Sequence, residues 1–282
     1  MHLGTEIISA DSRQCYRELN IGVARPSKEE LSQVPHHFIA SHSVTEEINA
    51  AGFADYALSK TQELFRDHAQ VVLAGGTGLY IRAYCEGLDE IPSVPDAVRS
   101  RIQQDYAEKG LGWLQEEIRN HDPRFYASGE TQNPQRLMRA LEVWQATGRS
   151  ILDFRTGEKQ ERPFRIIRIG LELPRELLRE RIAQRVELMM KEGLVEEVKT
   201  LLPWRRLNAL QTVGYAEIFD YLDGNITLQE AVSRIVISTR QYAKRQMTWF
   251  KKDPAIHWFD PREEQTILSW LDEQLARKHS TN

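Results

Sequence analysis

The sequence contains only two cysteines in 282 residues, Cys15 and Cys85. Neither belongs to a CxxC pair, and no Cys/His spacing suits zinc. This excludes a zinc finger and a disulfide-stapled secreted scaffold, and it favours a reducing compartment. No run of 18 apolar residues occurs, so no membrane-spanning helix is expected. The N-terminus lacks the basic-then-apolar pattern of a secretory signal. Basic charge is not in excess: the formal net charge is −4, which excludes a globally basic nucleic-acid binder and leaves local patches for any such contact. Internal repeats, low-complexity tracts and heptad runs are all missing. The expectation is a soluble, cytoplasmic protein with no membrane partner, built as one large domain or one domain with an insertion.

Hydrophobic residues make up 41% of the chain, enough for a sizeable core. Residues 6–10 read as a short buried strand that delivers Asp11 at its C-terminal end, followed at once by Ser12, Arg13 and Gln14. In an open α/β sheet, ligands sit outside the carboxyl ends of the strands. A carboxylate there can take a proton while hydroxyl, guanidinium and amide neighbours hold a polar substrate. The alternative is that Asp11 or Ser12 only caps the following segment. Upstream, Leu3-Gly4 reads like a helix C-terminus closed by glycine. Ser27 and Glu30 form a capping-box pair opening a short helix. Residues 34–39 then read as extended chain, whose adjacent His36 and His37 point to opposite faces. One buried and one exposed histidine is therefore expected, rather than a shared metal. Residues 51–68 have helical apolar spacing.

Residues 70–82 run from a second buried strand through Gly75-Gly76-Thr77-Gly78 into a helix. Glycines let the backbone approach a ligand, and a helix N-terminus attracts anions. No Gly-Lys-Ser/Thr follows, so this is not a Walker loop; a plain tight turn explains it equally well. From residue 89 to 159 no strand pattern appears. Helical stretches at 96–109, 112–120 and 134–147 suggest an inserted helical domain, with residues 1–88 and 160–282 forming the core. Its third helix carries Gln135, Arg136 and Arg139, the two arginines sharing a face. Such a face is either an RNA grip or an ordinary salt-bridged surface.

Strand pattern returns at 163–171, a long helix starts after Pro174, and a second follows Gly193. A polar turn at 208–215 leads to a helix at 217–222, and another runs from 227 to 250. Between Arg234 and Lys252 there are six basic residues and no acidic one, interleaved with Tyr242, Trp249 and Phe250. Arg240 and Lys244 are one turn apart, as are Gln241 and Arg245, and such a face suits pyrophosphate or RNA backbone. On the pyrophosphate alternative, Arg240, with Lys244 or Arg245, is the clamp. A last strand is expected near 257–260 and a charged terminal helix at 272–282.

Taken together, stretches 6–16, 34–38, 75–80, 135–142, 213–215 and 239–250 resemble the tRNA dimethylallyltransferases, in family order along nearly the whole chain. The resemblance implies an α/β, P-loop NTPase-like parallel-sheet core with an inserted all-helical tRNA-binding domain. It implies transfer of a dimethylallyl group from dimethylallyl pyrophosphate, with Mg²⁺, to the exocyclic amine of the tRNA adenosine 3′-adjacent to the anticodon. Asp11 matches the general base, and Ser12, Arg13, Gln14 and Thr77 match positions that meet the tRNA. Gln135, Arg136, Leu137, Met138 and Arg139 match the insertion's tRNA-contacting segment, and Arg99 another such position. The tRNA anticodon arm and dimethylallyl pyrophosphate are the implied partners, and a monomer is the implied state.

Three features depart from the family pattern. Ala40 stands where an acid is common, and Gln211 and Ala216 stand where some members carry arginine. No Gly-Pro-Thr-x-x-Gly-Lys-Thr/Ser loop occurs, so weak donor binding, poor solubility and a start upstream of Met1 are expected. That leaves two alternatives, an adenylate isopentenyltransferase and a non-catalytic tRNA-binding remnant; a nucleotide kinase is more distant still.

Overall fold

The computed structural model describes residues 2–277. The chain divides into two compact units, Met1–Glu86 with Arg162–Asn282 and, between them, Gly87–Glu161.

The first unit begins with β1 (Ile7–Ser9), α1 (Lys28–Gln33), β2 (His36–His37), α2 (Ala50–Leu64), β3 (Val72–Ala74) and α3 (Gly78–Glu86). The three strands form a parallel sheet in the order β2-β1-β3, with Ile7 opposite both His36 and Val72. The central strand is the one that carries Asp11, and Ile8 on it is fully buried. Ser27 and Glu30 cap α1 reciprocally, as their spacing predicts. Gly4 takes φ +54°, the left-handed conformation expected of that glycine. Both histidines of β2 are half-buried, against the expectation of one in and one out. The reason is that β2 is a two-residue edge strand, so neither face is fully covered. His37 Nε2 lies 2.5 Å from a Glu6 carboxylate oxygen, and His36 Nδ1 lies 2.7 Å from the Val34 carbonyl oxygen, which accepts.

The second unit holds α4 (Asp96–His121), α5 (Pro123–Ala127) and α6 (Pro134–Thr147). Gly110, at φ 76° and ψ −170°, breaks α4 where the sequence separates two helical stretches. Ile102, Leu114, Ile118, Phe125, Leu137 and Leu141 form its core. Asp122 is buried; it caps α5 through the Phe125 N–H at 3.0 Å and accepts from the Ser150 hydroxyl at 2.7 Å.

The chain then returns to the first unit through β4 (Arg168–Leu171), α7 (Arg175–Lys191), α8 (Leu194–Thr200), α9 (Tyr215–Leu222), α10 (Leu228–Phe250), β5 (Ile256–Phe259) and α11 (Glu264–Ala276). Strands β4 and β5 pair in parallel as a separate two-stranded sheet. Helix α10 packs on α7 and α9 and reaches α3. The terminal helix starts at Glu264 and ends at Ala276, earlier than expected; residues 278–282 lie outside the described residues. No helix among the described residues is long and apolar enough to cross a membrane.

Candidate active site

Asp11 leaves the C-terminal end of the central strand, and its two carboxylate oxygens have different surroundings. Oδ1 accepts from the backbone N–H of Arg13 at 2.7 Å and of Gln14 at 3.1 Å. Oδ2 accepts no hydrogen bond among the described residues. The capping alternative is thus realised by one oxygen, and the other has no hydrogen-bond partner among the described residues. Next to it, the Ser12 N–H donates to Thr77 Oγ1 at 3.0 Å, and the two hydroxyls lie 3.3 Å apart. The Thr77 N–H in turn donates to the Ala10 carbonyl at 3.2 Å. The Gly-rich turn is therefore stitched to the end of the Asp11 strand, so Asp11, Ser12, Arg13, Gln14 and Thr77 form one group.

Gly75 makes that stitching possible. A Cβ on it would lie 2.4 Å from the Ala10 carbonyl oxygen, with backbone on both sides of the clash. The other two glycines make room for α10. A Cβ on Gly76 would meet the Gln246 amide, and one on Gly78 would meet the Trp249 indole. Gln246 Nε2 donates to the Gly76 carbonyl at 2.9 Å. Tyr242 lies one turn before Gln246. Desolvation of its hydroxyl, followed by the nearby Asp11 carboxylate, pushes its pKa up. No local pattern in the sequence places α10 against this turn. Its only trace was the aromatic residues interrupting the cationic run.

Gln14 serves the fold as well as the site. Its amide nitrogen donates to the carbonyls of Val23 at 3.2 Å and Ala24 at 3.0 Å, which leaves only Oε1 to face a substrate. The same loop is held by Glu197, which accepts from the N–H groups of Ile21 and Gly22 and from the buried Tyr215 hydroxyl at 2.5 Å. Burial, followed by the Asp11 charge, pushes the neighbouring Cys15 thiol up to about 12, so it is not a nucleophile at neutral pH.

Gln241, Lys244, Arg245, Thr248 and Trp249 on α10, with Lys252 just past its end, line an open groove of about 380 Å³. Among the described residues no carboxylate pairs with Arg240, Lys244, Arg245 or Lys252, whereas Arg234 and Lys251 on the same run have acidic partners. Lys244 and Arg245 line this groove, and Arg240 lies one helical turn before Lys244. Among the described residues, no three His, Cys, Asp or Glu side chains converge as a metal cage.

Arg99, Gln135, Arg136, Leu137, Met138 and Arg139 belong to the second unit. Burial corrects two of them. Leu137 and Met138 pack in the unit's core, which takes their side chains off any surface on which RNA could lie. Helix periodicity requires this, because α6 buries that stripe and exposes Gln135 and Arg136. The insertion is also not a basic domain, since acidic side chains outnumber basic ones in 87–161. Its arginines are engaged. Arg99 lies 4.0 Å from Asp96 on the surface of α4, Arg136 pairs with Glu130, and Arg139 lies 3.3 Å from the buried Glu142.

Known proteins resemble this chain over nearly its whole length. Residues 14–253 match the IPP transferase family. The tRNA dimethylallyltransferase 1 of Bacteroides thetaiotaomicron is 45% identical over 267 residues, 95% of this chain and 87% of that protein. The tRNA dimethylallyltransferase of Christiangramia forsetii is 44% identical, over 97% of this chain and 91% of the other. The crystal structure of the tRNA isopentenylpyrophosphate transferase of Bacillus halodurans aligns with a TM-score of 0.69 at 34% identity, covering 97% of this chain and 89% of that one. A eukaryotic dimethylallyltransferase acting on tRNA shares the fold, with a TM-score of 0.75 at 20% identity. The chain belongs to the IPP transferase family.

Proposed function

We propose that this chain transfers a dimethylallyl group from dimethylallyl pyrophosphate to the exocyclic amine of the tRNA adenosine 3′-adjacent to the anticodon. The observation that carries the reading is the division of labour within the Asp11 carboxylate: Oδ1 is tied down by two backbone N–H groups while Oδ2 accepts no hydrogen bond among the described residues. A base fixed in orientation and still able to accept a proton fits an amine that must lose one. The adenine amine is a weak nucleophile because its lone pair is delocalised into the ring. Removal of its proton by Asp11 as the new C–N bond forms contributes roughly 10²–10⁴-fold in rate. The target base leaves its stack to reach the site, at a cost of a few kcal/mol.

Ser12 and Thr77 sit beside the carboxylate and are placed to hold the nucleotide. Arg240, with Lys244 or Arg245, all on α10 and without acidic partners among the described residues, would neutralise the pyrophosphate as it leaves. Mg²⁺ binds through one or two carboxylates, waters and substrate phosphates rather than an all-protein cage, so the ion would arrive with the pyrophosphate and help neutralise it, and no step above depends on it. Two buried free thiols suit a cytoplasmic protein.

The test is turnover with dimethylallyl pyrophosphate and Mg²⁺, offering either unmodified tRNA or AMP as acceptor, with prenyladenosine read by mass spectrometry. The proposal expects product on tRNA alone. Product on AMP alone, or on neither, contradicts it.

A further inference from the structure

Resting on the reading that the second unit meets tRNA, we infer that Arg136 and Arg155 form an RNA-phosphate site that Glu130 occupies in the free protein, so that Glu130 is an intramolecular competitor of the substrate. Arg155 directly follows a single 3₁₀ turn, Ile151–Phe154, and neither it nor Glu130 carries any sequence signal for RNA.

The geometry is that of one anion between two guanidinium groups. One Glu130 oxygen, Oε1, accepts from Arg136 Nη1. The other, Oε2, lies 3.8 Å from Arg155 Nη1, beyond hydrogen-bond reach. That second oxygen is buried and has no hydrogen-bond donor. Arg155 is steadied over the ring of the buried Phe125, with the guanidinium 5.6 Å from the ring centroid, and this holds its charge in place without satisfying its donors. Glu130 thus serves one arginine well and the other poorly, and it leaves an oxygen orphaned at a cost.

A phosphodiester presents the same fork of two oxygens and one negative charge. It is not tethered to the Gly129-Glu130 backbone, so it can approach until both guanidinium groups donate to it. Both arginines remain partly exposed, at 49% and 37% of the side-chain surface, so the exchange needs no unfolding. Glu130, itself one-third exposed, turns outward as the phosphate enters. The carboxylate in the free protein explains how an acidic unit can present an anion site at all: the arginines are held apart and aimed by a ligand that RNA replaces.

The experiment measures tRNA affinity of the full chain as a function of salt for wild type, Glu130→Gln, Arg155→Ala and the double variant, with circular dichroism confirming the fold of each. Removing the competing charge is expected to tighten tRNA binding about 3- to 10-fold in Glu130→Gln. Arg155→Ala is expected to weaken binding and to lower the slope of log K against log salt by roughly 0.7–0.9, the equivalent of one phosphate contact. The double variant should lose the gain contributed by Glu130→Gln. Weaker or unchanged binding in Glu130→Gln, with wild type binding normally, overturns the inference and makes Glu130 a structural anchor. An unchanged salt slope in Arg155→Ala also overturns it. Absence of tRNA binding by wild type removes this inference together with the functional reading beneath it.

Discussion

Replacing Gly75 by alanine adds one methyl group at the point where the Gly-rich turn crosses the end of the Asp11 strand. The new Cβ would lie 2.4, 2.5 and 2.8 Å from the carbonyl oxygen, carbonyl carbon and Cα of Ala10. All three are backbone atoms, so no side-chain rotation relieves the clash, and the two segments must separate by roughly 1 Å to restore ordinary contact. Overpacking of this kind costs about 1–3 kcal/mol. The separation also strains two hydrogen bonds through Ala10, its N–H to Ala74 O at 2.7 Å and its carbonyl from the Thr77 N–H at 3.2 Å, each with a net worth of about 0.5–1.5 kcal/mol. A loss of about 2–4 kcal/mol in urea denaturation follows. Because Asp11 is the next residue, a 1 Å displacement there should lower kcat for tRNA prenylation by about 100-fold. Gly112→Ala is the matched control. Its Cβ meets nothing within 4 Å, and it sits in a helix of the other unit, so alanine should stabilise by about 0.5–1 kcal/mol without touching turnover. A Gly75→Ala protein as stable and as active as wild type would refute the reasoning.

Other outcomes follow from the same geometry. Arg240→Ala, and Lys244→Ala or Arg245→Ala beside it, should each raise KM for dimethylallyl pyrophosphate about 10-fold, the scale of one charged hydrogen bond; steady-state kinetics checks this. Arg139→Ala leaves the Glu142 carboxylate buried without its partner and should destabilise by about 2–3 kcal/mol in denaturant melts, less than a fully buried pair because Arg139 is partly exposed, with stability recovered in Arg139→Ala/Glu142→Leu. Burial holds the thiols of Cys15 and Cys85 and the phenols of Tyr80, Tyr84 and Tyr215 in their neutral forms, above their ordinary pKa values. Each such group contributes stability that is complete below its unfolded pKa and is lost as pH rises through the folded one. Stability should therefore fall above about pH 8.5, and iodoacetamide at pH 8 should label neither cysteine until the chain unfolds. Rapid stoichiometric labelling of the native protein contradicts this.

Local features of the chain were legible in the sequence, and contacts between distant segments were not. The Asp11 strand, the Gly-rich turn, the Ser27-Glu30 box and the break at Gly110 all depend on residues within a few positions of one another. The exposure of α6 was legible too, since its periodicity buries Leu137 and Met138, although resemblance to a family motif placed them among the RNA contacts. The partners of the arginines could not be read. Arg155 meets Glu130 and Arg124 meets Asp153 across 25 and 29 residues, and nothing local signals either pair. The same holds for α10 at Gly76 and Gly78, where Gln246 and Trp249 come from about 170 residues away. Gln14 was legible as a polar residue beside the site, but its amide was already committed to Val23 and Ala24.

Asp11→Asn is the most direct probe of the proposed chemistry, because asparagine keeps an acceptor oxygen for the Arg13 and Gln14 N–H groups and removes the base. The measurement is single-turnover prenylation of tRNA beside tRNA affinity, for wild type and variant. The account predicts a rate lower by roughly 10²–10⁴-fold with affinity within about twofold of wild type. An unchanged rate, or a rate loss matched by an equal loss of affinity, would contradict it.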